Sequence, residues 1–210
     1  MFRKGLIASI PIVIGYVPVA MTFGIIALAL GFSKVETLLT SALVFAGASQ
    51  FALISLMPYS FVNAVFIPIF LNLRHIVYGY IVSQNFEIKK PCITAFGLTD
   101  EVFARSLTAP RDERFLWGLE LGSYSAWVLG TAIGIVGGAF LISNKTLTPS
   151  LVFSLTALFL VLLIPNLKKY RLSAIMGGLI ALIFHYFGYS SIGILLAGVV
   201  SPLIAMRLRR

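Results

Sequence analysis

The 210-residue chain is 59% hydrophobic and only 11% charged, with a mean hydropathy of +1.00, whereas soluble domains carry about 25% charged residues. That excludes an ordinary soluble domain and describes an all-α, polytopic integral membrane protein. The net charge of +9 does not imply nucleic acid as a partner, because Lys and Arg sit in short clusters between apolar runs, as the positive-inside rule leads one to expect.

Eight apolar segments follow one another and read as a single membrane domain over 1–210. Segment 1, Leu6–Leu30, begins after Arg3 and Lys4 like a signal peptide, but its uncharged run from Gly5 to Ser33 far exceeds a signal core of about 7–15 residues. It reads as a retained span, bent or broken near Pro18, with Gly24 beyond. Segment 2, Leu38–Met57, holds FAGASQF at 45–51. There Gly47 and Ser49 admit close helix contact, and Gln50 is an uncharged donor and acceptor at membrane depth.

Segment 3, Phe61–Ser83, is the most informative. Asn72, Arg74 and His75 lie at its middle, where a full charge costs about 2.5–3.5 kcal/mol and marks a functional site by default. Arg74 lies roughly 16 Å of helix from the nearer end, too deep for easy snorkelling. Pro68 removes a backbone donor and loosens the helix where polarity enters. His75 and Asn72 share one stripe, Arg74 and Tyr78 the next.

After a polar link, Gln84–Pro91, comes segment 4, Cys92–Ala109, with Asp100, Glu101 and Arg105. Gly97 can end a first helical piece and Thr99 can cap a second, leaving both acids in that piece's first turn. Discontinuous helices of this kind build midplane sites in transporters; the alternative is a surface helix whose Glu101 and Arg105 form an i,i+4 pair. Segments 5 to 8 are Phe115–Ile142, Leu151–Pro165, Leu172–Phe187 and Ser190–Met206. Glu120, near the start of segment 5, reads as an interface residue. The lone Cys92 excludes an internal disulfide and a cysteine-based metal cage.

A weak internal repeat is present. LVFxxxxxF occurs at Leu43–Phe51 and Leu151–Phe159, and His75, Gly79, Tyr80 are echoed by His185, Gly188, Tyr189. It suggests related halves, 1–90 and 110–210. Counting Lys and Arg does not separate eight spans with the N-terminus inside from seven with it outside. Eight is adopted because Arg3 and Lys4 resist export, which places the 84–91 turn on the opposite side from the N-terminus. Arg74 and Asp100 then fall at matching depths and can form an ion pair. His75 can titrate near neutral pH. A hydrolase built on Ser49, His75 and His185 lacks any GxSxG, HExxH or paired-aspartate signature.

GYVPVAMTFG (15–24), FAGASQF (45–51), NLRHIVYG (72–79), FGLTDEVFA (96–104) and SAWVLGTAIG (125–134) together resemble the AzlC family of branched-chain amino acid exporters. The resemblance implies a multi-pass protein of the cytoplasmic membrane that expels small apolar amino acids, working with a small AzlD-type membrane subunit. Some members carry Asp where this chain has Asn72, which leaves one acid fewer for coupling. A zwitterionic substrate needs a cation, an anion and an apolar pocket, which Arg74, Asp100 or Glu101, and the surrounding Phe, Ile and Leu side chains supply. Without a GxxxxGK[ST] loop, the drive would be an ion gradient and no cofactor is implied. A carrier or pore for another small solute fits the same features.

Overall fold

The computed structural model describes the backbone of residues 1–143 and 147–208, and the side chains of 1–138, 160, 164, 167, 170–189, 192, 193 and 196–207. The described residues form helices only: α1 Phe2–Ala8, α2 Ile10–Ala29, α3 Lys34–Leu43, α4 Gly47–Leu56, α5 Phe61–Asn72, α6 Arg74–Asn85, α7 Pro91–Gly97, α8 Asp100–Ser106, α9 Glu113–Ser143, α10 Leu147–Tyr186 and α11 Ser190–Leu208. They divide into two compact units, Met1–Leu155 and Thr156–Arg210. Among the described residues, three stretches are long and apolar enough to cross a membrane: Ile10–Ala29, Phe61–Asn85 and Glu113–Gly138.

Local chemistry sets the boundaries. Gly31, at φ 92°, ends α2 in a Schellman turn, with the Phe32 N–H donating to the Ala27 carbonyl. A reciprocal capping box between Ser33 and Glu36 starts α3. Ser60 caps α5, Pro91 opens α7 and Thr99 caps α8, while Asp112 accepts the Phe115 N–H at the start of α9. Pro18 does not break segment 1. α2 runs through it, and the interruption falls at Ser9, just before Pro11.

In the first unit, α1 and α2 lie parallel to α9. Gly5 abuts Phe115 and Leu119, Gly130 abuts Val17 and Ala20, and Gly134 abuts Met21, so both chains advance together. The faces turned away carry Phe66, Ile69, Phe70, Ile76 and Val77 on α5 and α6 and Leu129, Ile133 and Val136 on α9, all exposed, as lipid contact requires.

Segment 2 differs from the expected continuous helix, and segment 4, broken at Gly97–Thr99 as expected, turns back instead of passing through. α3 starts at the C-terminal end of α2 and runs against α9: Ser41 meets Thr131 at 2.7 Å, and the Ala42 carbonyl accepts from the Tyr124 hydroxyl at 2.9 Å. After the break at Val44–Ala46, α4 returns. Gly47 backs on Trp127, Phe51 meets the Phe23 ring at 5.6 Å, and Ile54 packs with Phe23 and Ala27. α5 and α6 then descend the full length, interrupted only at Leu73, where the Leu73 N–H donates to Phe70 in a tighter turn. α7 rises alongside the start of α9, with Thr94 on Trp117 and Gly97 on Glu120. α8 comes back down, placing Val102 among Phe115, Leu116 and Leu119. Each pair dips in and returns, α3–α4 from one end and α7–α8 from the other.

This corrects the expected side of the 84–91 turn. Charge counting treated every apolar run as one crossing. The folded-back segment 2 cancels its own crossing, so the turn lies at the end where the N-terminus lies: the Lys89 and Lys90 N–H groups donate to Glu113 Oε1 at 2.9 and 2.8 Å, and Lys90 shares a cavity with Phe2. Among the described residues of the first unit, that end gathers Arg3, Lys4, Lys89, Lys90, Arg111 and Arg114, against Lys34 at the other, and the positive-inside rule predicts it to be cytoplasmic. The exposed Cys92 is therefore expected to react with a membrane-impermeant maleimide only after cells are opened. Labelling in intact cells or spheroplasts, absent in Cys92→Ser, would reverse this orientation.

In the second unit, α10 is kinked at Tyr170 (φ −120°, ψ 27°), and Gly188, at φ 82°, ends it in a Schellman turn with Tyr189 donating to Phe184. Gly79, its partner in the sequence echo, sits inside α6, so that echo joins unlike positions. The side chains of Leu151–Phe159 lie outside the described residues.

Candidate functional site

The returning tips, Val44–Ala46 and Leu98–Thr99, meet where α6 begins. Phe45 lies 6.3 Å from Phe96 and 6.2 Å from Tyr16 between ring centroids, and Tyr124 closes the cluster against both phenylalanines at 5.3 and 5.6 Å. Beside these rings Arg74 Nη2 and Asp100 Oδ2 form an ion pair at 2.9 Å, with side chains 33% and 24% exposed. Asp100 stands at the first position of α8 because Thr99 caps that helix, accepting the Val102 N–H.

Around the pair the polar groups are mutually engaged. The Tyr78 hydroxyl donates to Asp100 Oδ1 at 2.8 Å, and its ring stacks on Phe103 at 4.2 Å. Tyr16 OH lies 2.7 Å from Thr99 Oγ1 and bonds Glu101 Oε2. Asn72 holds two neighbours: its Oδ1 accepts from Ser49 Oγ at 2.6 Å and its carbonyl faces His75 Nδ1 at 3.1 Å. Ser49 also reaches the Pro68 carbonyl at 3.3 Å. Ser49 and His75 thus share Asn72 rather than each other, unlike a nucleophile and its base. A cavity of about 250 Å³ adjoins them, lined by Leu43, Val44, Phe45, Ala46, Asn72, His75, Ala95 and Phe96.

Gln50 belongs elsewhere. Its amide donates to the Thr40 carbonyl at 3.2 Å and to the Val44 carbonyl, and its oxygen accepts from Trp127 Nε1 at 2.9 Å. It adds a second donor to carbonyls that already accept the Val44 and Ala46 N–H groups at the α3 end and so holds the fold-back. Gly47 and Gly24 serve packing, against the Trp127 ring and the Thr131 carbonyl. Gly97 ends α7 against Glu120.

Sequence reasoning did not single out Tyr16, Thr99 as a bonding partner, or Phe45. The available signal was the phenol in the largely apolar GYVPVAMTFG, since a membrane hydroxyl needs a partner. Among the described residues, the buried side-chain polar atoms without a hydrogen-bond partner are Arg74 Nε and Glu120 Oε1.

No solved structure matches the chain. Residues 146–210 match the model of the MJ1155 family. Over 206 residues, 98% of this chain and 94% of the relative, it is 57% identical to a membrane protein of Archaeoglobus fulgidus. It is 33% identical to the inner membrane protein YgaZ of Escherichia coli, covering 95% of this chain and 86% of that one. It is 31% identical to the branched-chain amino acid transport protein AzlC of Bacillus subtilis, with 80% and 68% covered. The AzlC protein model matches residues 11–141, which span the tips, the ion pair and the aromatic cluster, and the chain belongs to the AzlC family of membrane transport proteins.

Proposed function

We propose that this protein exports branched-chain or similar apolar amino acids across the cytoplasmic membrane as a secondary, proton-linked transporter, together with a small AzlD-type membrane subunit. The observation that carries the reading is the Arg74–Asp100 pair, set where two broken helices meet and bordered by the cavity of about 250 Å³. A zwitterion exchanges ion-pair partners with such a pair. Its carboxylate takes Arg74, whose Nε is a buried donor with no partner. Its ammonium takes Asp100, held at the right place by Tyr78. Its side chain enters the cavity against Leu43, Val44, Phe45 and Phe96, and the open ends of broken helices supply dipoles without adding charge. Glu101, bonded to Tyr16, is the proton-carrying acid, which accommodates Asn72 where other members carry Asp.

The test is leucine, isoleucine and valine flux in vesicles, with and without a proton gradient and with and without the small subunit. Gradient-dependent flux is expected, accompanied by lower cellular pools and resistance to toxic analogues on overexpression. Unchanged flux, pools and resistance with the subunit present would remove the reading.

A further inference from the structure

We propose that the cavity between α7 and α9 binds an ammonium group carried on a short apolar body, with Glu120 as its counter-charge. The Glu120 side chain is 5% exposed, it lines a cavity of about 290 Å³, and its Oε1 has no hydrogen-bond partner. Buried carboxyl groups are paired, hydrogen-bonded or protonated as a rule, so one with an unpartnered oxygen beside a cavity points to a missing donor, which an ammonium supplies.

The rest of the lining defines the ligand. Phe2, Ile93, Phe96 and Leu121 are apolar. The polar groups of the other two rings are already committed: Trp117 Nε1 donates to Thr94 Oγ1 at 3.2 Å and the Tyr124 hydroxyl to the Ala42 carbonyl. That leaves Glu120 as the acid of the lining and Lys90, with Nζ 5.7 Å from the Trp117 ring centroid, as its cation. The cavity stands at the lower end of the ~300–1,000 Å³ of drug-sized sites, which suits a small ligand. Gly97 holds the carboxylate in place: a Cβ there would come within 2.5–2.6 Å of Glu120 Cβ, Cγ and Cδ. Phe96 borders both this cavity and the one beside Asn72 and His75, so the two sites are neighbours across one ring. The inference does not depend on the export reading, and binding is read without flux.

The ammonium can come from a plain amine or from an amino acid whose carboxylate meets Lys90. Titration calorimetry on the purified full chain in detergent distinguishes them with isopentylamine, leucine and 4-methylpentanoate as probes. Saturable isopentylamine binding is expected, weakened at least ~10-fold by Glu120→Gln, with no binding of 4-methylpentanoate. Leucine binding tighter than the amine, and brought level by Lys90→Gln, identifies an amino acid; the reverse order identifies a simple amine. Glu120→Gln keeps the size of the side chain and a hydrogen-bonding oxygen and should fold, as elution and melting will show. Leu121→Trp, which fills the cavity from its exposed rim, is the second blocking variant. Amine binding absent from the wild type, or unchanged in both variants, overturns the proposal.

Discussion

Neutralising either Arg74 or Asp100 is expected to reduce export at least ~10-fold while leaving appreciable protein in the membrane. Removing one partner of a buried ion pair strands the other charge, a cost of about 3–5 kcal/mol for full burial. This pair is 33% and 24% exposed, so the folding penalty falls below that range and the loss should appear mainly in flux. Arg74→Gln leaves Asp100 with only the Tyr78 hydroxyl. Asp100→Asn leaves Arg74 Nη2 with a neutral partner beside an Nε that already lacks one. The swap Arg74→Asp with Asp100→Arg restores opposite charges and should recover membrane abundance, but not export, because Tyr78 and the cavity then face the wrong sign. Vesicle flux normalised to abundance checks all three, and export by either single variant within about twofold of wild type would show that the pair is only a strut.

How much of this site was legible in the sequence depended on what held each part. The break in segment 4 was readable because local chemistry makes it: Gly97 stops one helix, Thr99 caps the next, and the acids follow at its first turn. The Arg74–Asp100 pairing was readable from depth alone, and the estimate survives although segment 4 turns back, since Asp100 sits at the tip of the turn. The break in segment 2 was not readable. LVFAGAS has no proline or cap to interrupt it, and the break is held by Gln50, itself fixed by Trp127 from 77 residues away. Tyr16 reaches Glu101 across 85 positions, a contact no periodicity carries. The fold-back of segment 2 in turn misled the charge count, which sees clusters of Lys and Arg but not whether the run between them crosses.

Gly118 and Gly134 of α9 give the other large effect, because they meet backbone rather than side chains. Gly118, Gly122, Gly130 and Gly134, with Ala126 between, keep small residues at every fourth position along one stripe, and α1 and α2 lie against it as small-residue seams allow in lipid. A Cβ at Gly118 would stand 2.1 Å from the Phe2 carbonyl oxygen, and one at Gly134 2.3 Å from that of Met21. A carbonyl inside a helix cannot rotate away, so the helices must part, and the parting takes Tyr16 from the Trp127 ring it meets at 5.1 Å. Gly118→Val and Gly134→Val are therefore expected to abolish folded protein, a loss above ~4 kcal/mol of the kind reserved for buried clashes. Gly138→Ala meets nothing closer than 3.5 Å, and Gly79→Ala meets nothing within 4 Å. Both should accumulate normally, the second with a gain of up to ~1 kcal/mol from helix propensity inside α6. Membrane abundance of a fluorescent fusion and melting of the purified protein separate the two classes, and normal accumulation of Gly118→Val or Gly134→Val would show that α1 and α2 do not pack on α9 through this seam.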